Sequence, residues 1–208
     1  MKYITLTTFI LGLLLFGSSQ ANSKTTSATA DDKEEIQNLI RQVLKWSDSK
    51  KTINLLPVLT DNNDSIYIGF DLDKNKANIE KLRETNFFTT EFIENYNQII
   101  LTLDIKLRSG EFEQWMVGDL PTFIFSNDVN PWCSCQDNLN WDQVEVKIIS
   151  INKDKSELFW YWGHLSSDTD TSWKEFRYKF KVVKENNNWK IAYLQGFDFK
   201  ESTSKVGI

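Results

Sequence analysis

Between Trp141 and Asp198, apolar side chains recur at every second position in four successive runs. Val144, Val146 and Ile148 make the first run, and Leu158, Trp160 and Trp162 the second. Phe176, Tyr178, Phe180 and Val182 make the third, and Trp189, Ile191 and Tyr193 the fourth. A period of two sends successive side chains to opposite faces of a strand, so each run predicts a strand with one dry and one wet side. The third is the clearest, a strand over Trp173–Val182 with Arg177, Lys179 and Lys181 on the wet phase. The polar stretch Glu185–Asn188 supplies a turn into the fourth. Sequential strands joined by short turns pair with their neighbours, so the whole reads as an antiparallel meander. Trp160, Trp162, Tyr178 and Tyr193 all fall on the apolar phase and are expected to share one face. They are core if helices cover that face, and a ligand pocket if one end stays open.

The chain upstream is read as the cover for that face. Asp31 and Asp32 precede Ile36, Leu39, Ile40, Val43 and Leu44, which repeat at helical spacing and predict a helix to about Lys50. Asp61–Asp64 marks a turn, and Ile66–Ile68 reads as a short strand or a buried loop. Further helices are expected over 74–83 and over Thr90–Ser109, the latter with a stripe of Phe92, Tyr96, Ile99, Ile100, Leu103 and Leu107 before Gly110. The fold class is therefore α+β, with N-terminal helices packed on an antiparallel sheet. With 208 residues there is room for one domain and its core. Eight Trp and fourteen Phe suit a sheet covered by few helices, because each buries a large area. Residues 111–140 lack any period; they hold both cysteines, and Trp115 and Trp132, which are expected at the surface. The domain is placed at 31–200, with a flexible Ser/Thr/Ala-rich lead-in at 22–30 and a tail at 201–208.

Residues 1–21 follow the pattern of a secretory leader: Lys2, an apolar run over Ile4–Phe16, and small residues at Ser19–Ala21. The other reading is an uncleaved anchor helix. The run is shorter than the roughly 20 residues of a comfortable membrane span. Periplasmic or secreted placement is expected, with no stable membrane span after cleavage. The net charge is −5 and the basic residues do not cluster, which argues against a nucleic-acid partner, since phosphate contacts need Lys and Arg.

Few residues offer chemistry. Asp71, Asp73 and Asn75 match the first positions of a calcium loop, but Lys76 and Leu82 stand where Gly and Glu are needed. A polar helix start is the plainer reading. The one histidine, His164, continues the phase of Trp160 and Trp162; it is expected to be buried or partly buried and hydrogen-bonded, and it joins Trp160, Trp162, Tyr178 and Tyr193 as a ligand-pocket candidate. Cys133, Cys135 and His164 make three soft ligands at a spacing that zinc sites do not use, so no metal and no cofactor is expected. In an exported protein the two cysteines suggest a disulfide, although the ring is tiny; two buried thiols or a redox-active pair are the alternatives.

Several phrases resemble an exported bacterial group, domain-of-unknown-function family 3828, itself related to the nuclear transport factor 2-like fold. They are Tyr67–Asp71, Asn86–Phe92, Cys135–Asp137 and the closing Trp189–Ile191. The resemblance covers about Asp31 to Asp198 and implies helices packed into the concave side of a strongly curved sheet, a cone. Enzymes of the cone fold use an Asp or Glu base in an apolar pocket, and by this resemblance Asp137 is the catalytic candidate. Asp119, Asp128 and Asp142 are the other carboxylates near the cysteines, and turn capping is the plainer role for all four. The expected function is an exported non-enzymatic domain binding a small ligand or a protein partner. The alternatives are a small cone-fold isomerase or dehydratase, and an immunity or inhibitor protein. A carboxylate inside an apolar cavity favours the enzyme; a packed interior with carboxylates at turns favours the binding domain.

Overall fold

The computed structural model describes residues 30–207. The leader expected over 1–21 and residues 22–29 of the lead-in expected over 22–30 lie outside the described residues; Ala30, the last of the lead-in, begins the first helix. The fold is α+β. Helix α1 (Ala30–Ser47) precedes a small two-stranded sheet, β1 (Val58–Thr60) and β2 (Tyr67–Phe70). Helices α2 (Leu72–Glu84) and α3 (Thr90–Arg108) follow. The main sheet is β3 (Val144–Ile151), β4 (Lys155–Trp162), β5 (Tyr178–Glu185) and β6 (Asn188–Leu194), antiparallel and in sequence order. A five-residue helix α4 (Thr171–Glu175) lies between β4 and β5, and a short helix α5 (Phe199–Ser202) follows β6.

Each element follows from local chemistry. In α1, Ile36, Ile40, Val43 and Leu44 bury one stripe, and Asp31 and Asp32 sit at the positive end of the helix dipole. Asp71 caps α2 by accepting from the Lys74 amide, so the expected polar helix start is what its side chain serves. Thr89 caps α3 in the same way, through the Phe92 amide. Both edges of the main sheet are guarded. Arg41 Nε donates to Val144 O at 2.8 Å, and the Val146 amide donates to Gln37 Oε1 at 3.3 Å, so α1 side chains occupy the β3 edge. On the β6 edge, Ile191 exchanges backbone bonds with Phe87 and Thr89 at 2.8 and 2.9 Å. Edge groups occupied in this way, at Val144, Val146 and Ile191, are not free to template pairing with another chain.

The helix-facing side of the sheet is filled. Val144, Val146, Leu158, Trp160, Tyr178, Phe180, Val182, Ile191 and Leu194 are buried, while Lys179 and Lys181 are exposed, as the alternation predicts. Two bulges interrupt this regularity. Ile149 is extra between Ile148 and Ser150 and is thrown outward. Ala192 is extra between Ile191, opposite Val182, and Tyr193, opposite Lys181. A bulge shifts the phase by one residue, so Tyr193 faces outward with Lys181 Nζ 5.8 Å above its ring. The expectation that Tyr193 shares a face with Tyr178 is overturned by that bulge.

Three further expectations are corrected. The strand read over Trp173–Val182 begins only at Tyr178, because Asp170 caps a helical turn through the Ser172 amide at 2.8 Å and α4 takes Trp173. Trp115 and Trp132 are buried. Trp132 packs among Trp46, Phe88, Phe92 and Phe197, with ring centroids 4.6 to 6.2 Å away. The stretch read as a tail from residue 201 is built into the body: the Phe125 and Ile124 amides donate to Ser202 O and Ser204 O, and Val206 donates to Thr122 O.

Candidate functional site

The residues singled out as a pocket do not assemble into one. Trp160, Trp162 and Tyr178 lie in an aromatic cluster with Trp141, Trp173 and Phe176, at centroid distances of 4.8 to 6.5 Å. The indole Nε1 atoms of Trp160 and Trp162 are buried without a hydrogen-bond partner. Tyr193 is on the other side of the sheet. His164 lies beyond the end of β4 with φ 53° and a side chain 79 % exposed, where Nε2 meets Glu145 Oε1 at 3.2 Å. The expectation of a buried histidine fails because the strand ends at Trp162 and the left-handed backbone turns residue 164 out to solvent. Asp137 is exposed on a loop, outside any apolar enclosure. Cys133 and Cys135 are joined in a disulfide, with Cα atoms 5.2 Å apart, inside the range such a bond needs. Among the described residues no group of three or more His, Cys, Asp or Glu is placed to hold a metal ion.

What the irregular segment does build is a surface cleft of about 480 Å³, between residues 47–56 and 120–132. The first wall follows α1. Ser47 Oγ donates to Leu44 O at 2.8 Å and closes the helix. Asn78 Nδ2 donates to Asn54 O at 2.7 Å and Tyr96 OH to Leu55 O at 3.3 Å, so α2 and α3 anchor the connection that follows. In the second wall, Asn127 Nδ2 donates to Pro121 O and Phe123 O and holds a tight bend. Ser126 and Asp128 both adopt φ 59° there. Pro131 O accepts from the buried Tyr178 hydroxyl at 2.7 Å, tying the wall to β5. The disulfide loop is its continuation: the Asn130 amide donates to Cys135 O, and the Ser134 amide to Asn130 O at 2.7 Å.

The cleft is mixed in character. Leu120 and Val129 are 56 % and 39 % exposed at its rim, above half-buried Leu55 and Leu56. Thr52 Oγ1 is buried without a partner. Asp128 is the ionisable side chain among the lining residues. Its carboxylate accepts from Gln136 Nε2 at 2.6 Å. A second, wider groove of about 890 Å³ crosses the outer side of the sheet near the β3–β4 hairpin and α5, with Lys155, Lys179 and Lys181 balanced by Glu91, Glu157 and Asp198.

Carboxylates elsewhere serve turns and helix starts. The Ser65 amide holds Asp61 below the usual carboxylate range, and the Lys74 amide does the same for Asp71. Lys45 lowers Asp142, and the Ser166 and Ser172 hydroxyls lower Asp168 and Asp170. The buried carboxylate Asp104 accepts from the Phe70 amide at 2.7 Å and from Arg108 Nε at 2.8 Å, so its oxygen is already engaged. Of the cleft residues, the sequence singles out Asp128, as a carboxylate near the cysteines, and Trp132, as a tryptophan expected at the surface. Thr52, Leu55, Leu120 and Val129 lie in aperiodic stretches and gave no signal.

No family model, curated protein or solved structure matches the chain.

Proposed function

We propose that this chain is an exported, non-enzymatic domain of the nuclear transport factor 2-like cone kind, and that it takes a small ligand in the cleft beside the Cys133–Cys135 loop. The observation that carries the reading is the filled interior. Trp160, Tyr178, Phe180, Phe92, Tyr96 and Phe197 are each at most 1 % exposed, so the interior in which the cone reading would put an enzyme's pocket is packed. A catalytic carboxylate needs an apolar, substrate-accessible site to hold it poised for proton transfer. Asp137 is exposed, Asp104 is bound by Arg108, Asp142 is paired with Lys45, Asp61, Asp71, Asp168 and Asp170 serve turns and helix starts, and Asp128 stands exposed on the cleft rim rather than in an apolar enclosure. The cone is supported by helices on one side of a four-stranded meander and by bulges at Ile149 and Ala192, which bend strands. Export is supported by the leader pattern of residues 1–21 and by a disulfide, a bond that persists in oxidising compartments.

A thermal-shift screen of small solutes against the oxidised protein tests the reading. A hit is expected to stabilise the wild type and to lose its effect in Val129→Trp, which fills the rim. A hit that stabilises both proteins equally refutes the cleft as the site. Turnover of any solute by the wild type refutes the non-enzymatic reading.

A further inference from the structure

We infer that the cleft selects an organic cation: an ammonium group carried on a short apolar body. The inference rests on the reading of this cleft as a ligand site and adds the class of ligand. Three observations carry it. First, the lining contains one ionisable side chain, the carboxylate of Asp128, and no Lys, Arg or His. Among the described residues no cation lies within ion-pair distance of Asp128. Its partner is the neutral Gln136 amide, which orients a carboxylate without cancelling its charge. An anionic ligand would meet this charge and that of a chain carrying −5 overall.

Second, the position of the charge is fixed. Residues 126–128 form a bend with two left-handed residues, pinned by the Asn127 amide group to two carbonyls. The carboxylate thus stands at the rim on a bend that is already organised, so little ordering accompanies binding. Third, part of the lining suits an apolar body and part a polar group. Leu120 and Val129 present aliphatic surface to water beside Leu55 and Leu56, and Thr52 Oγ1 is an unpartnered polar atom within the wall. Covering such aliphatic surface supplies the non-directional part of affinity, and the charge supplies selectivity. The volume of about 480 Å³ falls among those of ordinary small-molecule sites.

The test compares three probes of one shape: 2-phenylethylammonium chloride, neutral 2-phenylethanol and anionic phenylacetate. Each is titrated into 15N-labelled protein at low ionic strength, following the amides of Thr52, Asp128 and Val129. The ammonium is expected to bind roughly threefold or more tighter than the alcohol, a modest factor because Asp128 is exposed, and to lose that advantage as salt is raised. Asp128→Asn keeps a residue that tolerates the left-handed bend. In that variant the ammonium is expected to fall to the affinity of the alcohol, while the alcohol is unchanged. Equal binding of all three probes at these amides, or preference for phenylacetate, overturns the cation inference and leaves the ligand cleft standing. Millimolar probes that shift none of these amides overturn the cleft itself.

Discussion

Removing one oxygen atom, in Tyr178→Phe, tests how the body of the domain holds the candidate site. The Tyr178 ring is fully buried and its hydroxyl makes two bonds: it donates to Pro131 O at 2.7 Å and accepts from the Gly196 amide at 3.0 Å. These three groups meet where two backbones touch. A Cβ on Gly196 would stand 2.1 Å from Pro131 O, so only glycine fits there. Phe keeps the ring packing and leaves a carbonyl and an amide without their partner. A buried group stranded in this way costs about 1–3 kcal/mol. Pro131 is buried and Gly196 half-buried, so the sum is placed at about 2–4 kcal/mol. Urea unfolding reads it: with a slope of about 1–3 kcal/mol per molar, the midpoint is expected to fall by roughly 1–2 M at unchanged slope. Amide exchange should accelerate at Gly196 first. A change below about 0.5 kcal/mol, the range of a neutral surface substitution, with Gly196 still protected, would mean that Tyr178 acts only as a filler and that the cleft wall is held by something else.

Trp160→Ala is expected to cost roughly 3–5 kcal/mol, because the site is packed on all sides; a loss near 1 kcal/mol by the same unfolding assay would mean that the cluster collapses around the gap. Stability should be level across neutral pH and fall at both ends. The lowered carboxyls of Asp61, Asp71, Asp142, Asp168 and Asp170 contribute fully above their unfolded value of about 4, and that contribution is lost as pH drops through their folded values. Burial raises the hydroxyls of Tyr96 and Tyr178, so their contribution is complete below about pH 10 and is lost progressively as pH rises from there towards the folded values; thermal melts from about pH 3 to about pH 11 that show no fall at either end would contradict both assignments. Mass spectrometry of exported material should give a mature start near Asn22, and an intact Met1 in membrane fractions would contradict the leader.

The sheet was legible because its constraint is local. Phe180, Val182, Trp160 and Leu158 alternate with charged neighbours, and burial on one face permits one phase only. The same logic misplaced Tyr193, since a bulge is a property of pairing. Nothing in Trp189–Leu194 alone says that Ala192 faces no residue on β5, and only the register with Lys181 and Val182 reveals it. Trp173 was misread for a different reason. Asp170 ahead of Thr171 and Ser172 was a visible helix-cap signal, outweighed by an alternation that happened to continue through it. The cleft was illegible throughout. Its walls lie about seventy residues apart in sequence, and residues in an aperiodic segment pack in a new direction at each step. Phe112, Trp115, Phe123, Phe125 and Trp132 all reach the core from such a segment without sharing a face.

That irregular segment also decides what its disulfide can do. The Cys133–Cys135 ring closes over three residues, so the unfolded chain loses little freedom when it forms. The chain-entropy relation gives about 1.6 kcal/mol for such a ring, against about 3 kcal/mol for a fifteen-residue loop. The core beneath is held by other means: Trp132 among its four aromatic neighbours, and Pro131 by Tyr178. The bend itself has less support. Ser134 stands at φ 50°, and the bend's hydrogen bonds are short-range ones centred on Asn130, from the Asn130, Trp132, Cys133 and Ser134 amides. Replacing both cysteines by alanine is therefore expected to lower global stability by only about 1–2 kcal/mol. Amide exchange at Asn130 and Ser134 should rise by a larger factor than exchange in β5. Since Asp128 is bonded to Gln136 just past the ring, ligand affinity at the cleft should fall further than the stability loss accounts for. If the double variant instead unfolds altogether, or loses more than about 4 kcal/mol, the disulfide is a main support of the domain. The core would then depend on the staple instead of standing without it.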